Sequence, residues 1–313
     1  MNNYIKDYCC NNKSIKLYKN AVIYEDDSDK WYVIKDNKKD IVQLFKYLNS
    51  RGFKYIPNII YADKNIYKYE YINDINTPLP QRISDIIKLD ATLHSKTVYY
   101  TDVSIDEIKE LYERLNGEIN DTFRYYDDLI TSFEGNIYMS PSQYLLARNC
   151  TMVFNSLNIC KNELDKWYDS QKGQSKKRVV LLHNNLKSDH LIKGDHNVLI
   201  SWDKACQGIP IYDFINIYKN NYDSANFKEL YISYNKIFPL LDEEVKLLFV
   251  FLLIPNKISF ISSELEATKD VTNLCNYLSQ TIELFMKEYK EKNQKQDNDI
   301  NKEQKDMKSN AEN

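Results

Sequence analysis

The sequence predicts an α+β chain, with a small β-rich part carrying one helix followed by a larger, mainly helical part. Three observations predict it. Within the first 75 residues, β-rich runs pair around turn-like segments. After "NDINTPLP", apolar residues recur at helical spacing almost to the end. Near mid-chain, two short apolar runs, 179–182 and 197–201, interrupt that pattern and bracket the polar loop "HNNLKSDH".

Each element has a local reason. "IKLYKNAVIY" and "WYVIK" read as a hairpin over residues 15–35 around the turn "EDDSD". In 38–52, Ile41, Leu44, Phe45 and Leu48 share a helical face and Gly52 supplies the stop. "NIIYA" and "IYKYEYI" form a second hairpin. Amphipathic helices follow in 81–95 and in "DEIKELYERLNGEI". Ser140-Pro141 is a cap and first-turn signal for a helix to about residue 156, with a further helix over 162–168. Asp242 is read as the cap of the apolar helix that holds "LLFVFLLI", with Glu243 and Glu244 suiting its N-terminal dipole. Three segments result: 1–75, 76–290, and a polar tail 291–313 with too few apolar anchors to offset ordering entropy.

Composition narrows the function classes. Lys and Arg number 42 against 45 Asp and Glu, a net charge of −3. That balance speaks against nucleic acid or an anionic membrane as the main partner. "LLFVFLLI" has eight residues, whereas a spanning helix needs about 20. "MNNYIKDYCCNNK" lacks the apolar core of a signal peptide. None of the six cysteines forms a C-x-x-C or a zinc spacing, and Cys9-Cys10 is a poor structural disulfide. Reduced thiols in a cytoplasm are expected.

Several stretches in chain order resemble one family. They are "WYVIK" with Lys35, "YEYI" (69–72), "TLHS" (92–95), His183-Asn184-Asn185, His190, Ile200-Ser201-Trp202, and Gly208-Ile209-Pro210-Ile211-Tyr212-Asp213. Together they resemble the protein-kinase-like fold, in its aminoglycoside and choline phosphotransferase branch. The family pattern is roughly H-G-D-x-x-x-x-N, then I-D-W, then G-D-P-x-x-D. "YNKIFPLLDEEVKLLFVFLLIP" is similar to the late helical segment of a spore-coat subgroup, which adds a spore-associated location to the cytoplasmic expectation. The resemblance implies a bilobal fold: an N-lobe with one helix over 1–75 and a helical C-lobe over 76–290. It implies that Lys35 holds nucleotide phosphates and that Glu70 and Tyr71 sit at the nucleotide hinge. His183, Leu186, Trp202, Pro210, Tyr212 and Asp213 match residues that mainly shape the loops.

The acting positions depart from the pattern. Asn185 stands where an Asp takes or orients the proton of the attacking hydroxyl. A carboxamide accepts a hydrogen bond but not a proton at neutral pH, and losing a general base costs about 10²- to 10⁴-fold. His190 and Ser201 stand where Asn and Asp hold Mg²⁺, a hard ion that wants oxygen ligands. The phosphate-covering turn carries Glu25, Asp26, Asp27 and Asp29 in place of glycines, and would repel ATP if it faced the cleft. The expectation is a pseudokinase without cofactor, acting as scaffold or regulator through an unknown protein partner. The alternatives are a phosphotransferase using ATP and Mg²⁺ on a small hydroxylated acceptor, and a nucleotide sensor without turnover.

Individual residues carry paired readings. Lys35 contacts phosphate or is a solvated charge, with Asp40 as the nearby acid for the usual helix Glu. Asp203 replaces the missing metal ligand, or is a loop carboxylate that is exposed or paired with Lys204 or Lys187. Asp189, His190, Asp195 and His196 bind a transition metal or are turn residues. His183 is a base or a packing histidine, and His94 is read as structural.

Overall fold

The computed structural model describes residues 14–18, 21–26, 28–36, 40–63, 66–261 and 263–311. β1 (Ser14–Tyr18), β2 (Ala21–Glu25) and β3 (Trp31–Asp36) form an antiparallel meander, which β5 (Ile66–Glu70) and β4 (Ile59–Ala62) extend in the order β1-β2-β3-β5-β4. Alternation places Val22, Tyr24, Ile34 and Ile66 in one buried cluster. The run "IKLYKNAVIY", expected as one strand, is two, because Tyr18 already lies opposite Ala21. α1 (Ile41–Ser50) buries Ile41, Phe45 and Leu48. It ends where Gly52 adopts φ 76°, the left-handed turn that glycine takes without strain.

The chain divides into two compact units, one of residues 1–101 with 176–240 and one of 102–175 with 241–313. The lobe boundary expected at residue 75 lies inside the first unit. That unit also holds α2 (Leu79–Thr97), β7 (Lys176–Leu182), β8 (Leu191–Lys193), β9 (Asn197–Leu199), β10 (Cys206–Gly208), α5 (Ile211–Asn221) and α6 (Phe227–Ile237). β7 is central in a three-stranded sheet between β10 and β6 (Tyr99–Asp102), and β8 and β9 form a hairpin. Gly208 lets β10 lie close on β7, since a Cβ there would come within 2.5 Å of Leu182 Cδ1. α2 packs against β7, α5 and α6. Its inner face buries Ile83, Ile86, Ile87 and Leu93, and with them Arg82, Asp90 and His94.

The second unit is helical: α3 (Ile105–Glu134), α4 (Pro141–Gln171), α7 (Asp242–Leu253) and α8 (Glu264–Ala311). α4 packs against the other three. It is one helix where two were expected. Residues 157–161, LNICK, contain no Gly or Pro, and Leu157, Cys160 and Leu164 continue the buried face. Asp242 is the first helical residue, not the cap; the free N–H of Leu241 is taken by Glu244 Oε2 at 2.9 Å. Val245, Leu247, Leu248, Phe249, Val250, Leu252 and Leu253 of α7 are buried. α8 continues through 291–311, the segment read as a polar tail, whose sequence is rich in the good helix formers Lys, Glu and Gln. No helix among the described residues is long and apolar enough to cross a membrane. Cys150, Cys160, Cys206 and Cys275 are thiols, and Cys9 and Cys10 lie outside the described residues.

Candidate functional site

All the described candidate residues fall in the first unit. β7 ends at Leu182 and delivers His183-Asn184-Asn185 into a loop. The buried carboxylate of Asp213, near the start of α5, clamps that loop: its two oxygens accept the N–H groups of His183 and Asn184, each at 2.7 Å. Asn184 takes φ 55°. It stands at the glycine of H-G-D, and Asn is among the residues that tolerate the left-handed region. Arg82 holds the loop from α2, donating to the Ser188 carbonyl at 3.1 Å, to the Leu191 carbonyl, and to both carboxylate oxygens of Asp74.

The His183 ring is buried against Trp202, with ring centroids 4.5 Å apart. Its Nε2 lies 3.0 Å from the Ile200 carbonyl, which only accepts, so Nε2 carries the proton. Burial pushes the His183 pKa down to about 4, with the Asp213 charge partly opposing, so the ring is neutral at pH 7. Trp202 donates to the Leu199 carbonyl at 2.7 Å and meets Phe45 and Phe53 edge-on.

The acting positions close on one another. Lys35, on β3, donates from Nζ to Ser201 Oγ at 3.1 Å. Burial lowers its pKa, and the Asp203 carboxylate partly opposes that. Ser201 adopts φ 69°, ψ 48°, a conformation better suited to Asn or Asp. The Asn185 amide donates to the Ser201 carbonyl at 3.3 Å. His190 Nδ1 donates to the Asn185 carbonyl at 2.6 Å, leaving only Nε2 with a lone pair. Asp40 caps α1 through the Gln43 N–H at 3.1 Å, so it does not stand in for the helix Glu as a partner of Lys35.

The remaining candidates are spread more widely. Asp203 is exposed on the short 3₁₀ turn Trp202–Lys204, with no ion pair to Lys204 or Lys187 among the described residues; its field raises the Tyr69 pKa, after burial. Glu70 is exposed at the end of β5, and Tyr71 packs on Trp31 with centroids 6.1 Å apart. Asp26 faces its own turn: one carboxylate oxygen accepts the N–H groups of Ser28 at 3.0 Å and Lys30 at 2.9 Å, which holds its pKa down. The turn amides that could approach a phosphate are thus occupied by a side-chain carboxylate. Asp27 lies outside the described residues. Asp189, His190, Asp195 and His196 do not converge as a metal site; the grouping of such ligands found among the described residues is Asp90, His94 and Asp213.

That last grouping contains the residue the sequence reading missed. Asp90 sits on the apolar face of α2, one helical turn before His94, and all three residues are fully buried. Burial, then the Asp213 charge, raises the Asp90 pKa well above the carboxylate range. The signal was present: an acid four residues before a histidine on an otherwise apolar helix face.

No protein-family model matches the chain, and no curated protein matches it. Solved structures do. The chain is similar to an aminoglycoside phosphotransferase from Alicyclobacillus acidocaldarius, with 11% identity, TM-score 0.62, and coverage of 90% of this chain and 94% of that one.

The chain has the protein-kinase-like fold.

A spectinomycin phosphotransferase in an AMP-bound complex is also similar, with 13% identity, TM-score 0.50, and coverage of 87% and 93%. In this kinase-like fold a working phosphotransfer site requires Mg²⁺ and nucleotide. Three of the positions concerned carry side chains that are poor ligands for Mg²⁺. Ser201 is a neutral hydroxyl already accepting from an ammonium, His190 is an imidazole anchored by Nδ1, and Asn185 is a carboxamide. Mg²⁺ wants hard oxygen ligands in an octahedral shell.

Proposed function

We propose that this protein is a pseudokinase: a kinase-like fold that works by binding a protein partner, not by phosphoryl transfer. The single observation that carries the reading is the Lys35 Nζ to Ser201 Oγ hydrogen bond. In a working site, a lysine and a metal-holding carboxylate serve the nucleotide phosphates. Here the lysine instead donates to the hydroxyl at the carboxylate's position. The Asn185 side chain likewise donates to Ser201, and His190 to the Asn185 carbonyl.

The test is ATP turnover, measured with Mg²⁺ and a panel of aminoglycosides and choline-like alcohols. Wild type is expected to show none. Asn185→Asp with Ser201→Asp, which returns a proton acceptor and a hard ligand, is expected to gain Mg²⁺-dependent nucleotide binding. Robust wild-type transfer to any acceptor overturns the reading.

A second reading, a slow phosphotransferase, is favoured by the field of Asp203 on Lys35. In that reading Asp203→Ala abolishes turnover. Transfer that survives the substitution removes the role assigned to Asp203.

A further inference from the structure

We propose that the C-terminal end of α1, the loop after it and the edge of β6 form a docking surface for an extended, acidic segment of a partner protein. This rests on the reading that the protein works through a protein partner, and it names the chemistry that partner presents. Local composition points to it first. Residues 41–58 and 91–101 contain Lys46, Arg51, Lys54 and Lys96 and no Asp or Glu, in a chain where acids outnumber bases by 45 to 42. All four cations are exposed.

The fold brings the two stretches together within the first unit. Arg51 Nη2 donates to the Val98 carbonyl at 3.3 Å, which leaves further guanidinium donors for a carboxylate. Arg51 Cζ lies 5.9 Å from the centroid of the Tyr47 ring. Tyr99 adjoins Tyr47: burial, and then Tyr47, raises the Tyr99 pKa. Leu48 and Phe53, both 0% exposed, anchor the segment from the core, while Tyr47 and Tyr55 stay 38% and 37% exposed. Tyrosine and arginine are the residues that protein-binding surfaces favour.

The backbone beside this patch is open as well. β6 follows Val98 directly and is the outer strand of the sheet β10-β7-β6, so no strand among the described residues pairs with its far side. An edge strand takes an extended segment as an added strand. Strand addition puts alternate side chains of the segment on one face. Acidic residues at every second position therefore meet Arg51 and the lysines on the Tyr99 side. Nucleic acid and anionic membranes are also negative, but they reward a broad basic field, which a chain of net charge −3 does not supply.

The experiment uses the full chain and a fluorescein-labelled peptide of alternating Glu and Thr, read by fluorescence anisotropy at low salt. The expected result is saturable binding that weakens as salt rises, with slower amide exchange within residues 99–101 on adding peptide. Arg51→Glu, and Lys46→Glu combined with Lys54→Glu, are each expected to weaken binding about tenfold. Lys269→Glu, at an exposed position of α8 in the second unit, is expected to leave it unchanged. Should Arg51→Glu fail to fold, the pair of exposed lysines still decides. No saturable binding, or binding that the double lysine variant leaves intact, overturns the proposal. So does peptide binding without slower exchange within 99–101. Tighter binding of oligo(dT) or of phosphatidylserine vesicles at the same residues also overturns it. None of these outcomes bears on phosphoryl transfer, which the ATP turnover measurement decides separately.

Discussion

Ser201 concentrates the chemistry of the site in one residue. It occupies a left-handed backbone conformation that Asn or Asp adopts more readily, and its hydroxyl takes the bond of a lysine whose charge burial disfavours. Ser201→Asp therefore supplies both a better backbone residue and a compensating charge. It is expected to raise the unfolding midpoint, by an amount on the order of 1 kcal/mol, read in a denaturant titration. Asp213 makes the opposite case. Asp213→Ala leaves the His183 and Asn184 N–H groups unpaired, and His183 is fully buried. The expected loss is about 2–4 kcal/mol in the same titration, with Asp213→Asn losing less because its amide oxygen still accepts. The positions of Asn185, His190 and Ser201 were reached through the family resemblance, whose ordered motif spaces them, and the structure links them by hydrogen bonds. Asp90 was marked only by its place four residues before His94 on an apolar face; its full burial depends on where α5 and α6 pack against α2, which one helix's periodicity does not contain.

At the scale of elements, the β2–β3 turn decides how the phosphate-covering position is used. The sequence showed its acidity but not its direction. Asp26 turns inward and caps the amides of Ser28 and Lys30, while Asp29 takes φ 58°. Asp26→Ala should speed hydrogen exchange at those two amides in an NMR exchange experiment and leave the buried strands unchanged. Unchanged exchange at Ser28 and Lys30 would show that the carboxylate does not hold the turn. Helix limits were legible where a cap or glycine stands, as at Ser140 and Gly52. They were misread inside α4, where no Gly, Pro or cap stands between the two expected helices and Leu157, Cys160 and Leu164 carry the packed face through. The division of "IKLYKNAVIY" was missed for a related reason: alternation alone gives no turn when both halves are β-rich.

For the whole molecule, the fold class followed from the order of hairpins, helices and paired mid-chain strands, and the kinase-like fold agrees with it. The two compact units did not follow, because each is assembled from two separated stretches of chain. The unit that holds the candidate site also holds its supports: the Asp213 clamp, the Arg82 ties and the Trp202 packing. Loop architecture is kept while the acting groups bond to one another. The most direct test of that claim is thermal unfolding of the wild-type chain during an ATP titration, with and without added Mg²⁺. A ligand at 100 times its Kd stabilises a folded protein by about 2.7 kcal/mol, a readily measured shift. A site closed on itself predicts an unchanged midpoint up to millimolar ATP in both conditions. A rise in either condition contradicts it, and a rise that requires Mg²⁺ returns the cleft to nucleotide chemistry.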